Sequence, residues 1–281
     1  MRTSPHLGIF AKTFTRPTLG EALDAVASHR LSCVQFNFSC VGMPTLPEQI
    51  DLTLLGQIQH EMAARQIQIA AVSGTFNMIH PDIAQRGDGL RRLGVLAEAC
   101  ARLGAPVITL CTGTRDPTDM WRRHADNDSP EAWSDLLASL GSALAIAETH
   151  GITLAFEPET GNVVDSARKG RRLLDEMQSP RLKVVMDAAN LFHTGTLPHM
   201  KTMLDEAFDL LGRDIVIAHA KELGSSICPG THGPGRGVLD WDHVLSLLRA
   251  TGFKGPWILH GLEEADVSAS VAFLRNKLEA S

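Results

Sequence analysis

The chain has 281 residues, 44% of them hydrophobic and 21% charged, with a formal net charge of −6. That length suits either one α/β barrel of about 250 residues or two average domains, and the composition supplies ample core material. No basic run exceeds two residues, so the cationic stripe that nucleic-acid binding requires is missing and no nucleic-acid partner is expected.

In chain order, the apolar runs that read as strands are Leu7–Phe10, Cys33–Phe38, Ile67–Ser73, Pro106–Thr112, Thr153–Glu159, Leu182–Ala188, Asp214–Glu222 and Pro256–Leu262. Segments of helical periodicity follow each of them, at 18–30, 46–66, 82–104, 130–150, 166–178, 200–212, 241–252 and 265–280. Within 86–104, for example, Leu90, Leu93, Leu96, Ala97 and Cys100 keep the spacing of one helix face. Ser129, Pro130 and Glu131 form a helix-start signal, and RLGAP, THGIT and ATGFK each place Gly where a helix should stop.

Eight alternations, with strands apolar on both faces, predict parallel pairing covered by helices. No Gly-rich phosphate loop follows the first strand, which runs GIFAKTFTRP. The expected fold is therefore α/β, a (β/α)8 TIM barrel forming a single domain over residues 1–281. The long connections at 38–47, 113–129 and 223–240 follow strands and belong to the C-terminal face, where barrel enzymes keep their chemistry.

Cys33, Cys40, Cys100, Cys111 and Cys228 are odd in number and form no C-x-x-C pair, which predicts reduced thiols in a cytoplasmic protein. MRTSPHLGIF lacks the apolar core of a signal peptide, and no apolar stretch nears the ~20 residues of a membrane span, so no membrane partner is expected.

Four runs in the second half end in a metal-capable side chain: LAFE at Glu157, VVMD at Asp187, VIAH at His219 and WILH at His260. On neighbouring parallel strands the four would converge above the barrel axis. Side chains two apart share a strand face, so Ala155 and Glu159 go with Glu157, Val185 with Asp187, Ile217 and Lys221 with His219, and Ile258 with His260. An inward charge without a partner is costly, and a shared divalent cation removes that cost. Taken singly, each has a plainer reading: Glu157 as a carboxylate capping a loop, Asp187 as a helix N-cap, His219 as a hydrogen-bonded core imidazole.

LAFEPE, VVMDAANLF, HAKE, GPGRGVLDW and GPWILH together resemble the successive signature segments of the xylose isomerase-like barrels. That superfamily includes sugar isomerases and epimerases, inosose dehydratases, hydroxypyruvate isomerases and the AP-endonuclease family. The resemblance implies a divalent metal (Mn, Mg, Co or Zn) held by Glu157, Asp187 and His219. At the fourth ligand position it places His260 where the family usually has Glu. A histidine can still donate a neutral nitrogen and move protons near neutrality, but it makes the site one charge less anionic.

The function expected is a metal-dependent isomerase or epimerase acting on a small carbohydrate, with Glu157 or His260 moving the proton. Lys221 is expected at an enediolate oxygen or a substrate carboxylate. Glu159, Asn190, Arg236, Asn77, His80, Arg115 and Trp121 are the candidate substrate contacts. An inosose-type dehydratase and a non-catalytic polyol-binding barrel stand as alternatives, and AP-endonuclease chemistry is disfavoured because the early strands lack further ligands. Relatives are often dimers or tetramers, so the resemblance also implies a homo-oligomer.

Overall fold

Strand and helix alternate eight times, and every strand pairs in parallel with its sequence neighbours. The computed structural model describes residues 6–193, 195–225 and 232–279. The first half contains β1 (Leu7–Phe10), α1 (Leu19–Ser28), β2 (Cys33–Phe36), α2 (Leu52–Ala64), β3 (Gln68–Ser73), α3 (Ile83–Leu103), β4 (Val107–Leu110) and α4 (Pro130–His150). The second half contains β5 (Thr153–Phe156), α5 (Ala167–Met177), β6 (Leu182–Asp187), α6 (Met200–Leu211), β7 (Ile215–Ala220), α7 (Trp241–Ala250), β8 (Trp257–Leu259) and α8 (Val267–Glu279). β8 pairs with β1, closing a single-domain (β/α)8 TIM barrel as the alternation predicts.

Local chemistry explains the element limits. Ser129 Oγ accepts the Ala132 N–H and starts α4, while Gly104 and Gly151, at φ 72° and 71°, stop α3 and α4 in the left-handed conformation. α2 begins later than periodicity suggests because Asp51 caps it, accepting the Thr53 N–H at 2.7 Å. Several strands end earlier than their apolar runs. In β2, for instance, Asn37 accepts the Ser39 N–H and turns the chain into a short 3₁₀ helix at Phe38–Val41.

Two apolar layers result. Phe10, Cys33, Ala71, Val107, Ala155, Val185, Ile217 and Ile258 fill the barrel interior. Leu154, Phe156, Val184, Met186 and Ala218 belong to the larger layer between sheet and helices. The inward and outward sets inferred for β5 to β8 thus sit where strand alternation puts them.

The cysteines Cys33, Cys40, Cys100 and Cys111 are free; Cys228 lies outside the described residues. Burial pushes the Cys33 thiol up to about 11 and those of Cys100 and Cys111 higher still, so these three pack as small hydrophobes. Among the described residues, no helix is long and apolar enough to cross a membrane.

Glu222, just past β7, ties down the connection to α7. It is 1% exposed, and its carboxylate accepts four N–H groups: Leu223 at 3.0 Å, Leu239 at 3.1 Å, Gly235 at 2.7 Å and the Trp241 indole at 3.0 Å. Such a saturated buried carboxylate fixes both ends of a loop at the barrel mouth.

At the opposite end, Gly8 passes so close to β2 that an added Cβ would meet the Cys33 carbonyl oxygen at 2.4 Å. Gly8→Ala should therefore destabilise the protein by about 1–3 kcal/mol, the usual range for overpacking, read from chemical denaturation midpoints.

Candidate metal centre and active site

Two residues beyond the inward layer of Ala155, Val185, Ile217 and Ile258, the strands present Glu157, Asp187, His219 and His260. A register shift between Val184 and Val185 sets Asp187 directly opposite His219 on β7. The His219 Nδ1 atom lies 3.3 Å from Glu157 Oε2 and 3.7 Å from Asp187 Oδ2. Ligand atoms of Asp187, His219 and His260 all fall within 4.8 Å of one another. Glu157 flanks this trio, its other oxygen accepting the Asn190 amide. The His260 ring stacks on Phe10, with centroids 4.3 Å apart, and tilts against His219 at 5.1 Å.

The hydrogen-bond inventory of this cluster has two gaps. Asp187 Oδ2 and His219 Nδ1 are buried and have no hydrogen-bond partner. Buried polar atoms rarely go unsatisfied, and an acceptor oxygen and a ring nitrogen facing one gap fit a divalent cation. The rest of each side chain is engaged. Asp187 Oδ1 accepts the Ala189 N–H at 3.1 Å and caps the 3₁₀ helix Ala188–Leu191, so its capping role and its free oxygen coexist. His219 Nε2 lies 2.9 Å from Gln35 Oε1. Gln35 in turn donates to Ser73 Oγ at 3.2 Å and Thr109 Oγ1 at 3.0 Å.

Charges in the cluster shift one another. Burial disfavours the Asp187 carboxylate, but Lys221 and His219 outweigh it and hold the acid well below its usual range. Burial likewise opposes charge on His219, and Glu157 with Asp187 overcomes it, lifting the imidazolium to about 9. His260 goes the other way: burial, then His219 and Lys221, push it well below its ordinary value and leave a neutral ring. Lys221 donates to Asn190 Oδ1 at 2.7 Å and stands 3.6 Å from Asp187 Oδ2. Burial works against its charge, yet Asp187 and Glu157 hold its pKa above the ordinary value. Burial and the neighbouring Glu157 push Glu159 up to about 8, so near neutrality it is a protonated acid.

Above the cluster a cavity of about 1070 Å³ opens at the C-terminal face. Of the residues singled out from sequence, Glu157, Glu159, Asn190, His219, Lys221 and His260 line its floor, and Asn77, His80 and Trp121 its walls. Asn77 and His80 spend their polar atoms on the scaffold. Asn77 donates to the Thr114 carbonyl at 2.8 Å and accepts the Thr114 N–H at 2.9 Å, while His80 lies 3.1 Å from the Pro117 carbonyl and accepts the Asp82 N–H at 3.0 Å. Gly113 allows this loop contact, since a Cβ there would meet Asn77 Oδ1 at 2.4 Å. Trp121 is 49% exposed at the cavity rim.

Two of the expected contacts are elsewhere. Arg115 turns away to Asp135 at 2.7 Å and the Ile79 carbonyl at 3.1 Å, and Arg236 pairs with Asp266. Neither lines the cavity; each guanidinium finds a carboxylate outside it.

Gln35, Ser73, Thr109, Phe10 and Lys12 also line the cavity and carried no flag in the sequence. Gln35 had a readable signal. It shares the inward parity of Cys33, and an amide at an inward position must find partners inside the barrel.

The sequence model of a family described as the xylose isomerase-like TIM barrel matches residues 23–277. Among solved structures, the 3-keto-D-glucoside 4-epimerase of E. coli superposes with a TM-score of 0.73 at 16% identity, covering 99% of this chain and 100% of that one. An L-ribulose 3-epimerase superposes at 0.75 with 15% identity, covering 98% and 95%. The IolI protein with a bound zinc atom superposes at 0.72 with 17% identity, covering 98% and 95%. At these identities the likeness is one of fold.

Raised above its unfolded value, the Glu159 pKa makes a stability contribution that is present below about 4.5 and lost progressively as pH rises through about 8. In metal-free protein, the thermal midpoint of Glu159→Gln should therefore overtake that of the wild type across this window, measured by calorimetry at pH 5 to 9.

Proposed function

The chain belongs to the xylose isomerase-like TIM barrel family, and on that premise we propose a divalent-metal-dependent isomerase or epimerase of a sugar, sugar phosphate or sugar acid. The observation that carries this reading is the pair of unpartnered buried atoms, Asp187 Oδ2 and His219 Nδ1, flanked by Glu157 and His260. Those four side chains would hold the ion, with Mn, Mg, Co and Zn all compatible with mixed oxygen and imidazole donors. The bound zinc of the IolI structure and the epimerase activities of the two other neighbours support the same reading.

When bound, the ion polarises a carbonyl and its neighbouring hydroxyl and so acidifies the adjacent C–H. Glu157 takes that proton, or the neutral imidazole of His260 does if its lone pair is not on the ion, leaving an enediolate, and a protonated group returns it to the other carbon or the other face. The Lys221 ammonium, held charged by Asp187 and Glu157, stabilises the enediolate oxygen. Asn190 links the groups, donating to Glu157 and accepting from Lys221.

A second reading follows from Glu159. An acid protonated near neutrality on the cavity floor can donate to a departing hydroxide, which turns the same proton abstraction into an inosose-type dehydration.

Incubating ketoses, keto-glycosides, inososes and hydroxypyruvate with the protein in D2O and Mn(II) tests both readings. Deuterium at the carbon beside the carbonyl, without loss of water, supports isomerisation or epimerisation, and an enone product supports dehydration. Exchange in no substrate of the panel overturns both and leaves a polyol-binding barrel. Glu157→Gln or His260→Ala, whichever removes the base, should slow exchange by about 10²–10⁴-fold.

A further inference from the structure

We infer that Gln35 is the positioning residue that commits His219 to present Nδ1 as its ligand atom, an inference that rests on the metal reading of the site. A primary amide has two N–H donors on nitrogen and an acceptor-only oxygen. The Gln35 nitrogen faces Ser73 Oγ and Thr109 Oγ1, so its oxygen is the atom left facing His219 Nε2. An acceptor-only oxygen at 2.9 Å requires a proton on Nε2. A metal-bound imidazole is neutral and carries one proton, so with that proton on Nε2 its lone pair lies on Nδ1.

Nδ1 is the ring atom that faces the gap. It is 3.7 Å from Asp187 Oδ2, and both atoms lack hydrogen-bond partners. Gln35 is 1% exposed and reaches from β2 across the barrel interior to β7, anchored on the way by β3 and β4. The orientation of one ligand is thus fixed by a chain of contacts through four strands. Residues that orient a metal-bound histidine through its second nitrogen usually contribute about 10–100-fold to metal affinity.

The test is a competition titration of metal-free protein with Zn(II), Co(II) and Mn(II) against a chromophoric chelator. Gln35→Leu, which fills the space without an acceptor, should weaken binding by about 10–100-fold. Gln35→Glu keeps an acceptor oxygen toward Nε2 and should restore most of the loss. Wild-type affinity in Gln35→Leu overturns the inference, as does a loss in Gln35→Glu equal to that in Gln35→Leu.

Long-range ¹⁵N–¹H spectra of the zinc-loaded wild type need no folded variant of Gln35. They should show the His219 proton on Nε2 and the ion on Nδ1, with the resonance assigned by its disappearance in His219→Gln. An ion on Nε2 overturns the inference while leaving the metal reading intact. A wild type that takes up none of the three ions overturns both.

Discussion

A buried carboxylate oxygen and a buried imidazole nitrogen point at the same space and neither makes a hydrogen bond there, though Lys221 Nζ stands 3.6 Å from the oxygen and Glu157 Oε2 3.3 Å from the nitrogen. Leaving such atoms without hydrogen bonds costs on the order of 1–3 kcal/mol each, a cost that a shared cation would remove. The closed parallel barrel makes this arrangement possible. Each strand carries every second side chain inward, and closure brings the ends of β5, β6, β7 and β8 around one axis. The apolar floor of Ala155, Val185, Ile217 and Ile258 keeps water out beneath the cluster.

Charge is balanced tightly above that floor. Glu157 and Asp187 are carboxylates, Lys221 is a cation 3.6 Å from Asp187 Oδ2, and His260 is kept neutral by burial and by its cationic neighbours. A glutamate in place of His260 would add a second negative charge beside Asp187. The histidine trades that charge for a ring that stacks on Phe10 and offers a lone pair.

Single side chains tie down the connections that follow the strands. Asn77 joins the loops after β3 and β4, Asn162 donates to the Met120 carbonyl and accepts the Gly113 N–H, and Glu222 gathers four N–H donors beside β7. In each case one polar side chain stands in for missing secondary structure, satisfying backbone groups that a loop would otherwise leave exposed.

Periodicity and helix punctuation were legible in the chain alone. The strand runs, the stops at Gly104 and Gly151, the Ser129 start and the inward parity of Glu157, Asp187, His219 and His260 all follow from local rules that need no partner. Arg115 and Arg236 were not legible, because a long guanidinium settles on whichever carboxylate the fold brings near, and Asp135 and Asp266 are set by other elements. Gln35 was legible as an inward amide in need of partners, but its partner was not, because that contact lies 184 residues away. The order of amino acids determined which side chains face the axis. Only closure of the barrel, which fixes register and distance between strands remote in sequence, decided which of them touch.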